Sequence, residues 1–191
     1  PLIRKAAGLG SLSGEADPDQ YDKGYLHCDL LVVGSGPSGL MAALTAAESG
    51  LRVILADEDF CLGGRLNAET TEIDGMSSAT FASKTIGVLS AMDNVRILPK
   101  TTVFGAFDHG SYGALERVNE HSAKGGIRQI FWHIRTQRCI LAGGATERPI
   151  AFSNNDRPGI MLAGAVRTYT NRFGVTPGKR VAIFTNNDDG W

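Results

Sequence analysis

Cysteine is scarce in this chain. Its 191 residues include only 3, Cys28, Cys61 and Cys139, well separated and odd in number. That excludes a disulfide scaffold and fits a reducing, cytoplasmic compartment. No C-x-x-C occurs, so a vicinal dithiol redox centre is excluded too. An excess of either charge is also missing. The formal net charge is -1, which removes the electrostatic case for nucleic acid or an anionic membrane surface as partner. No apolar run reaches membrane-spanning length, and no secretory leader pattern is present. His27, His109, His121 and His133 have no metal-ligand spacing. Without a G-x-S-x-G, paired-carboxylate or zinc signature, the hydrolytic classes lack their machinery. Internal repeats and low-complexity segments are absent as well.

Glycine, by contrast, is abundant, at 24 residues. The most informative cluster is Gly34-Ser35-Gly36-Pro37-Ser38-Gly39, which follows the apolar run Leu30–Val33 and opens a helical pattern near Leu40. Strand, glycine turn and helix in that order form a dinucleotide-binding fingerprint. Gly34 permits the tight turn, Gly36 lets a pyrophosphate approach the backbone, and Gly39 lets the helix pack close to the strand. The helix that opens at Pro37 and Ser38 offers the free N–H groups of its first turn, from Ser38 onward, and a partial positive charge. An acid is expected about 20 residues later. Asp57 and Glu58 stand there, after the second apolar run Val53–Ala56. Asp57 is the first candidate to accept the ribose hydroxyls and Glu58 the second. A carboxylate there repels a 2′-phosphate, favouring NAD or FAD over NADP.

The rest of the pattern predicts an α/β domain. Leu40, Ala43, Leu44 and Ala47 share one helix face, and Gly50 stops it. Arg52–Ala56 reads as the second strand, Ser77–Ala91 as a helix and Val95–Leu98 as a third strand. Thr102–Phe107, Tyr112–Val118 and Arg128–Arg135 follow with no helix between them, which predicts an antiparallel meander. Arg138–Ala142 then returns as a strand ending at Gly143-Gly144. This layout predicts a three-layer, Rossmann-like FAD/NAD(P)-binding domain with a parallel sheet and a three-stranded antiparallel meander. Residues 1–27 read as an arm or linker and 28–150 as the first dinucleotide-binding domain. Residues 151–191 read as a connection, with a helix over Ala163–Phe173 and a buried strand over Val181–Phe184, the start of a second nucleotide-binding-like domain. The start at Pro1 and the lack of a crossover after that strand predict a piece of a longer polypeptide. Asn186-Asn187-Asp188-Asp189-Gly190 lacks a second G-x-G-x-x-G.

Three further positions are site candidates. Gly63-Gly64-Arg65 can pass beside the cofactor phosphates, with Arg65 either forking onto the pyrophosphate or lying on a flexible surface loop. Val103 opens the meander, where backbone groups meet an adenine edge and the side chain packs in the core. Gly143 stands where an Ala-Thr-Gly motif would carry threonine.

Several segments together resemble the alpha subunit of the bacterial heterotetrameric sarcosine oxidase family. They are Pro1–Gly10, Asp29–Gly39, Val103–Asp108, Ala145-Thr146-Glu147-Arg148-Pro149-Ile150-Ala151-Phe152 and Asn154–Gly159. The stretch from Ala145 to Gly159 is the most specific of these. The resemblance implies NAD at the first glycine loop, with FAD at the equivalent place in relatives. It implies contacts from Gly34–Gly39, Asp57, Glu58, Arg65 and Val103. It also implies beta, gamma and delta partner subunits, an FMN between alpha and beta, and a tetrahydrofolate-binding domain further along the alpha chain. The implied reaction converts sarcosine, oxygen and tetrahydrofolate to glycine, hydrogen peroxide and methylenetetrahydrofolate. Amine oxidation falls to the beta subunit, so no catalytic residue is expected here.

Overall fold

The strand before the glycine loop starts earlier than its apolar residues do. In the computed structural model, which describes residues 3, 6–8, 14–119 and 126–190, β1 runs from Gln20 to Val33. Then come α1 (Pro37–Glu48), β2 (Val53–Ala56), a 3-10 turn (Gly64–Asn67) and a small hairpin of β3 (Glu72–Ile73) and β4 (Met76–Ser77). They are followed by α2 (Ser78–Ser90), β5 (Val95–Leu98), β6 (Thr101–Phe107), β7 (Ser111–Arg117), β8 (Ile127–Leu141) and α3 (Ala163–Asn171).

Six strands form one sheet in the order β5-β2-β1-β8-β7-β6. β5, β2, β1 and β8 are parallel, with Leu31 opposite both Ile54 and Cys139. β8, β7 and β6 are antiparallel. The parallel strands are buried on both faces, which is why Leu30–Val33 and Val53–Ala56 are apolar without alternation. On one face Leu30, Val32, Val53 and Leu55 pack against Leu40, Ala43 and Ala47 of α1 and Ala82 and Leu89 of α2. On the other, Leu31, Ile54, Ala56 and Leu98 pack against Ala114 and Ile134 of the meander. Helices, parallel sheet and meander are the three layers expected. Each wholly buried leucine contributes roughly 1.5–3 kcal/mol.

The helices begin and end for local reasons. Pro37 occupies the first helical position, where no N–H is needed. Gly50, at φ 83°, lets the chain leave α1. The Ser77 hydroxyl accepts the Thr80 N–H at 3.2 Å and caps α2.

Three expectations change. The arm expected over 1–27 gives way to strand at Gln20, and the segment from Tyr21 to Cys28 pairs with Gln129–Thr136. Its polar, exposed side chains hide a strand held by backbone pairing. The segments expected at Arg128–Arg135 and Arg138–Ala142 are one strand, β8, which pairs in parallel with β1 along its length and over Gln129–Arg135 also pairs antiparallel with β7 of the meander. Val181–Phe184 forms no strand, and Val181, Ile183 and Phe184 are exposed. That segment pairs with no described strand. α3 appears as expected, and His121 lies outside the described residues.

Candidate functional site: a glycine-lined cradle at the start of α1

The three glycines of the loop differ in what an added side chain would meet. Gly34 has φ 101°, and a β-carbon there would lie 2.4 Å from the Ala142 carbonyl oxygen. On Gly39 it would lie 1.8 Å from the Gly34 carbonyl oxygen. Both glycines are therefore demanded by the fold. A β-carbon on Gly36 would meet nothing within 4 Å. Packing does not demand glycine at Gly36, and its bare backbone faces open space beside the start of α1. Pro37 and Ser38 are exposed there, and no acidic residue occupies the first turn. The helix start thus keeps its unmatched N–H groups and positive end for an anion.

Two other glycine segments converge on this point. A β-carbon on Gly64 would lie 3.0 Å from the Gly36 Cα, so Gly63-Gly64 passes directly over the loop. Gly143 follows Ala142, whose N–H donates to the Val33 carbonyl at 2.7 Å. A side chain at Gly143 would meet nothing within 4 Å, so the fold leaves room for the threonine of the related motif.

Ser35 ties these segments together. Ser35 is fully buried. Its N–H and hydroxyl both donate to Asp57 Oδ2, at 2.5 and 2.7 Å, and its Oγ accepts the Gly63 N–H at 3.0 Å. Asp57 Oδ1 accepts the Asp59 N–H at 2.8 Å. The carboxylate expected to hold a ribose is thus engaged with the glycine loop. A serine between two glycines carries no signal of such a role in sequence. Asn67 adds a second clasp, donating to the carbonyls of Cys61 and Leu62, each at 3.1 Å.

Glu58, the next residue, is exposed at the end of β2. With Asp59, Phe60, Lys100 and Arg117 it lines an open cavity of ≈ 350 Å³. Arg117 donates to the Glu58 carbonyl at 2.9 Å. β6 starts beside this cavity, where the Thr101 N–H donates to the Asp57 carbonyl at 2.7 Å. Val103, two residues on, is partly buried and packs in the core on the meander side.

Arg65 has protein partners. It bonds Glu69 through Nε and Asp189 through both terminal nitrogens, the longer of these last two bonds at 3.2 Å. Arg167 of α3 completes the cluster, reaching Glu69 at 2.6 Å and Asp189 at 3.8 Å. Hydrogen bonds to Asp189 first and Glu69 second raise the Arg65 guanidinium further above its ordinary value. Burial works to raise the Glu69 carboxyl, but hydrogen bonds from Arg65 and Arg167 overcome it and hold the group low. Beside this cluster Arg172 forks onto Asp59 at 2.6 and 2.9 Å, and Asn171 donates to the Ala68 carbonyl at 2.7 Å. The Arg172 bond lowers the Asp59 carboxyl. α3 and its flank are thus fastened to the loop from Asp59 to Glu69. These long-range partners leave no local sequence pattern. Among the described residues no cluster of histidine, cysteine, aspartate and glutamate could hold a metal, and no helix is long and apolar enough to cross a membrane.

Residues 29–97 match the family FAD dependent oxidoreductase. The whole chain is 52% identical to sarcosine oxidase subunit alpha of Rhizobium meliloti (strain 1021) over 194 residues, covering 20% of that subunit. The sequence is that of a sarcosine oxidase alpha relative. The subunit alpha of Corynebacterium sp. (strain P-1) is 46% identical over 189 residues, with 96% of this chain and 20% of that subunit covered. The chain therefore spans about one fifth of the length of these sarcosine oxidase subunits. L-proline dehydrogenase from P. horikoshii shares the fold, with TM-score 0.65 and 24% identity, over 87% of this chain and 32% of its own.

Proposed function

We propose that this chain is the dinucleotide-binding portion of a sarcosine oxidase alpha subunit, with the diphosphate of NAD seated over Gly34–Gly39. The observation that carries the reading is Gly36. Its bare backbone faces open space at a helix start, with Gly64 laid across it. The donor set suits a diphosphate: α1 N–H groups, backbone that approaches closely, and a nearby arginine.

The ribose falls to Glu58, because Asp57 already serves Ser35 and Asp59. The adenine lies toward the start of β6 near Val103. Gly64 and Gly143 close on the diphosphate from the other loops. A carboxylate at the ribose disfavours NADP. The dinucleotide, when bound, supplies hydride-transfer chemistry. This chain's residues bind and orient it, and none of them is assigned a proton or a bond to break. Residues 28–150 form the nucleotide domain in this reading and 151–191 lead into the next one. Oxidation of sarcosine, the FMN and folate steps, the beta, gamma and delta partners and a cytoplasmic location belong to the same proposal.

A second reading places FAD at the same cradle, favoured by the match to the FAD dependent oxidoreductase family over residues 29–97. Releasing the nucleotide from the purified alpha subunit separates the two. A colourless nicotinamide dinucleotide supports NAD, and a yellow, fluorescent flavin supports FAD. Release of neither contradicts both.

A further inference from the structure

The Arg65 fork, for which a diphosphate is one of the two readings the sequence leaves open, is filled by a carboxylate of the chain itself. Asp189 accepts both terminal nitrogens of Arg65, the geometry with which two phosphate oxygens would meet the same guanidinium. Asp189 is placed by a local turn. Its N–H donates to Asn187 Oδ1 at 3.1 Å, and the Asn187 N–H donates to Thr185 Oγ1 at 3.2 Å. The Asp189 backbone carbonyl also accepts from Arg167 at 3.3 Å. Arg65 directly follows Gly64, whose β-carbon would lie 3.0 Å from Gly36 Cα. The fork therefore begins one residue from the cradle.

Charge makes the exchange feasible. Arg65 and Arg167 carry two positive charges, and Glu69 and Asp189 balance them. Glu69 holds the Nε edge of Arg65 and also pairs with Arg167, so it anchors the guanidinium from behind. Asp189 holds the outer edge and is the more exposed carboxylate, at 43% against 19%. An incoming diphosphate could replace Asp189 without stranding Arg65, because the same two donors would be filled again. Arg167 would keep Glu69.

We propose that Asp189 is an internal competitor for the nucleotide diphosphate at Arg65, so that binding over Gly34–Gly39 releases the turn from Thr185 to Gly190. This rests on the cradle being the diphosphate site. The site would thereby communicate with the segment that follows α3. Asp188 has no contact with Arg65 and serves as the control for simple charge repulsion.

The test is titration of the intact protein, stripped of bound nucleotide, with ADP and with adenosine. Asp189→Asn should bind ADP roughly 3- to 10-fold more tightly than the native protein, the scale of one exposed ion pair between charged groups. Adenosine, which has no diphosphate, should bind both equally. Asp188→Asn should leave ADP affinity unchanged, and Asp189→Asn should bring no gain once Arg65→Ala is present. Equal or weaker ADP binding by Asp189→Asn overturns the competition and leaves the cradle standing. An equal gain from Asp188→Asn also overturns it. If ADP binds none of the proteins, the cradle itself fails as the diphosphate site and the competition fails with it.

Discussion

Ser35 and Asp57 are joined twice, because the amide and the hydroxyl of Ser35 both donate to a single carboxylate oxygen of Asp57, at 2.5 and 2.7 Å. This pair fixes the turn out of β1 to the end of β2, and through Ser35 Oγ it also holds Gly63. Asp57→Ala strands a buried hydroxyl and an N–H. It should destabilise the protein by roughly 1–3 kcal/mol and weaken nucleotide binding as well. Glu58→Gln should weaken nucleotide binding by a similar 1–3 kcal/mol, the scale of a lost charge-assisted hydrogen bond, and leave stability unchanged. Urea unfolding and calorimetric titration of both variants check the contrast. A Glu58→Gln protein with native affinity would remove the ribose from that carboxylate.

The glycines of the loop should separate by role. Gly36→Val adds a side chain where nothing stands within 4 Å, so the fold should survive and the nucleotide should be lost. Gly39→Ala places a carbon against the Gly34 carbonyl, and Gly34→Ala places one against the Ala142 carbonyl. Both should unfold the protein or lower its midpoint sharply. Circular dichroism melting beside nucleotide titration reads the difference.

The hold on α3 depends on Arg172. It pairs with Asp59 and lies over the rings of Phe60 and Phe173, at 5.0 and 5.2 Å from their centroids. Arg172→Ala should cost about 1 kcal/mol, because the pair is partly screened by solvent. The segment after Gly159 should become more sensitive to limited proteolysis while the core keeps its resistance. An unchanged cleavage pattern would deny Arg172 that role.

Acid should act through Asp29. Hydrogen bonds from the Arg52 side chain and N–H hold its carboxyl down at about 2, from 3.8. A lowered carboxyl stabilises the fold in full above its ordinary value, and that share fades as pH falls from 3.8 toward about 2. Asp29→Asn should therefore flatten the acid limb of the stability profile and lower the midpoint near neutral pH. Urea midpoints across that range for both proteins provide the check.

Much of this molecule is written locally. The order of Leu30–Val33, the glycine loop and the Leu40 face specifies strand, turn and helix, because each element's periodicity lies within its own residues. The start of β1 at Gln20 was hidden, since Tyr21 and Tyr25 stay exposed and the strand is held by pairing with β8. Val181–Phe184 shows the reverse limit, because apolar composition creates no strand without a neighbour to pair with. In the site, Gly34 and Gly39 are legible because steric demands act through the backbone, and Gly36 because it completes the spacing of the glycine motif. The partners of Arg65 and Asp57 are not, because they depend on which loops meet. Asp189 lies 124 positions from Arg65.

The most direct test of the cradle is the nucleotide content of the intact protein with and without Gly36→Val. The native protein should release one dinucleotide per chain that the folded valine variant lacks. A folded valine variant that keeps its full complement would place the nucleotide elsewhere and contradict this account.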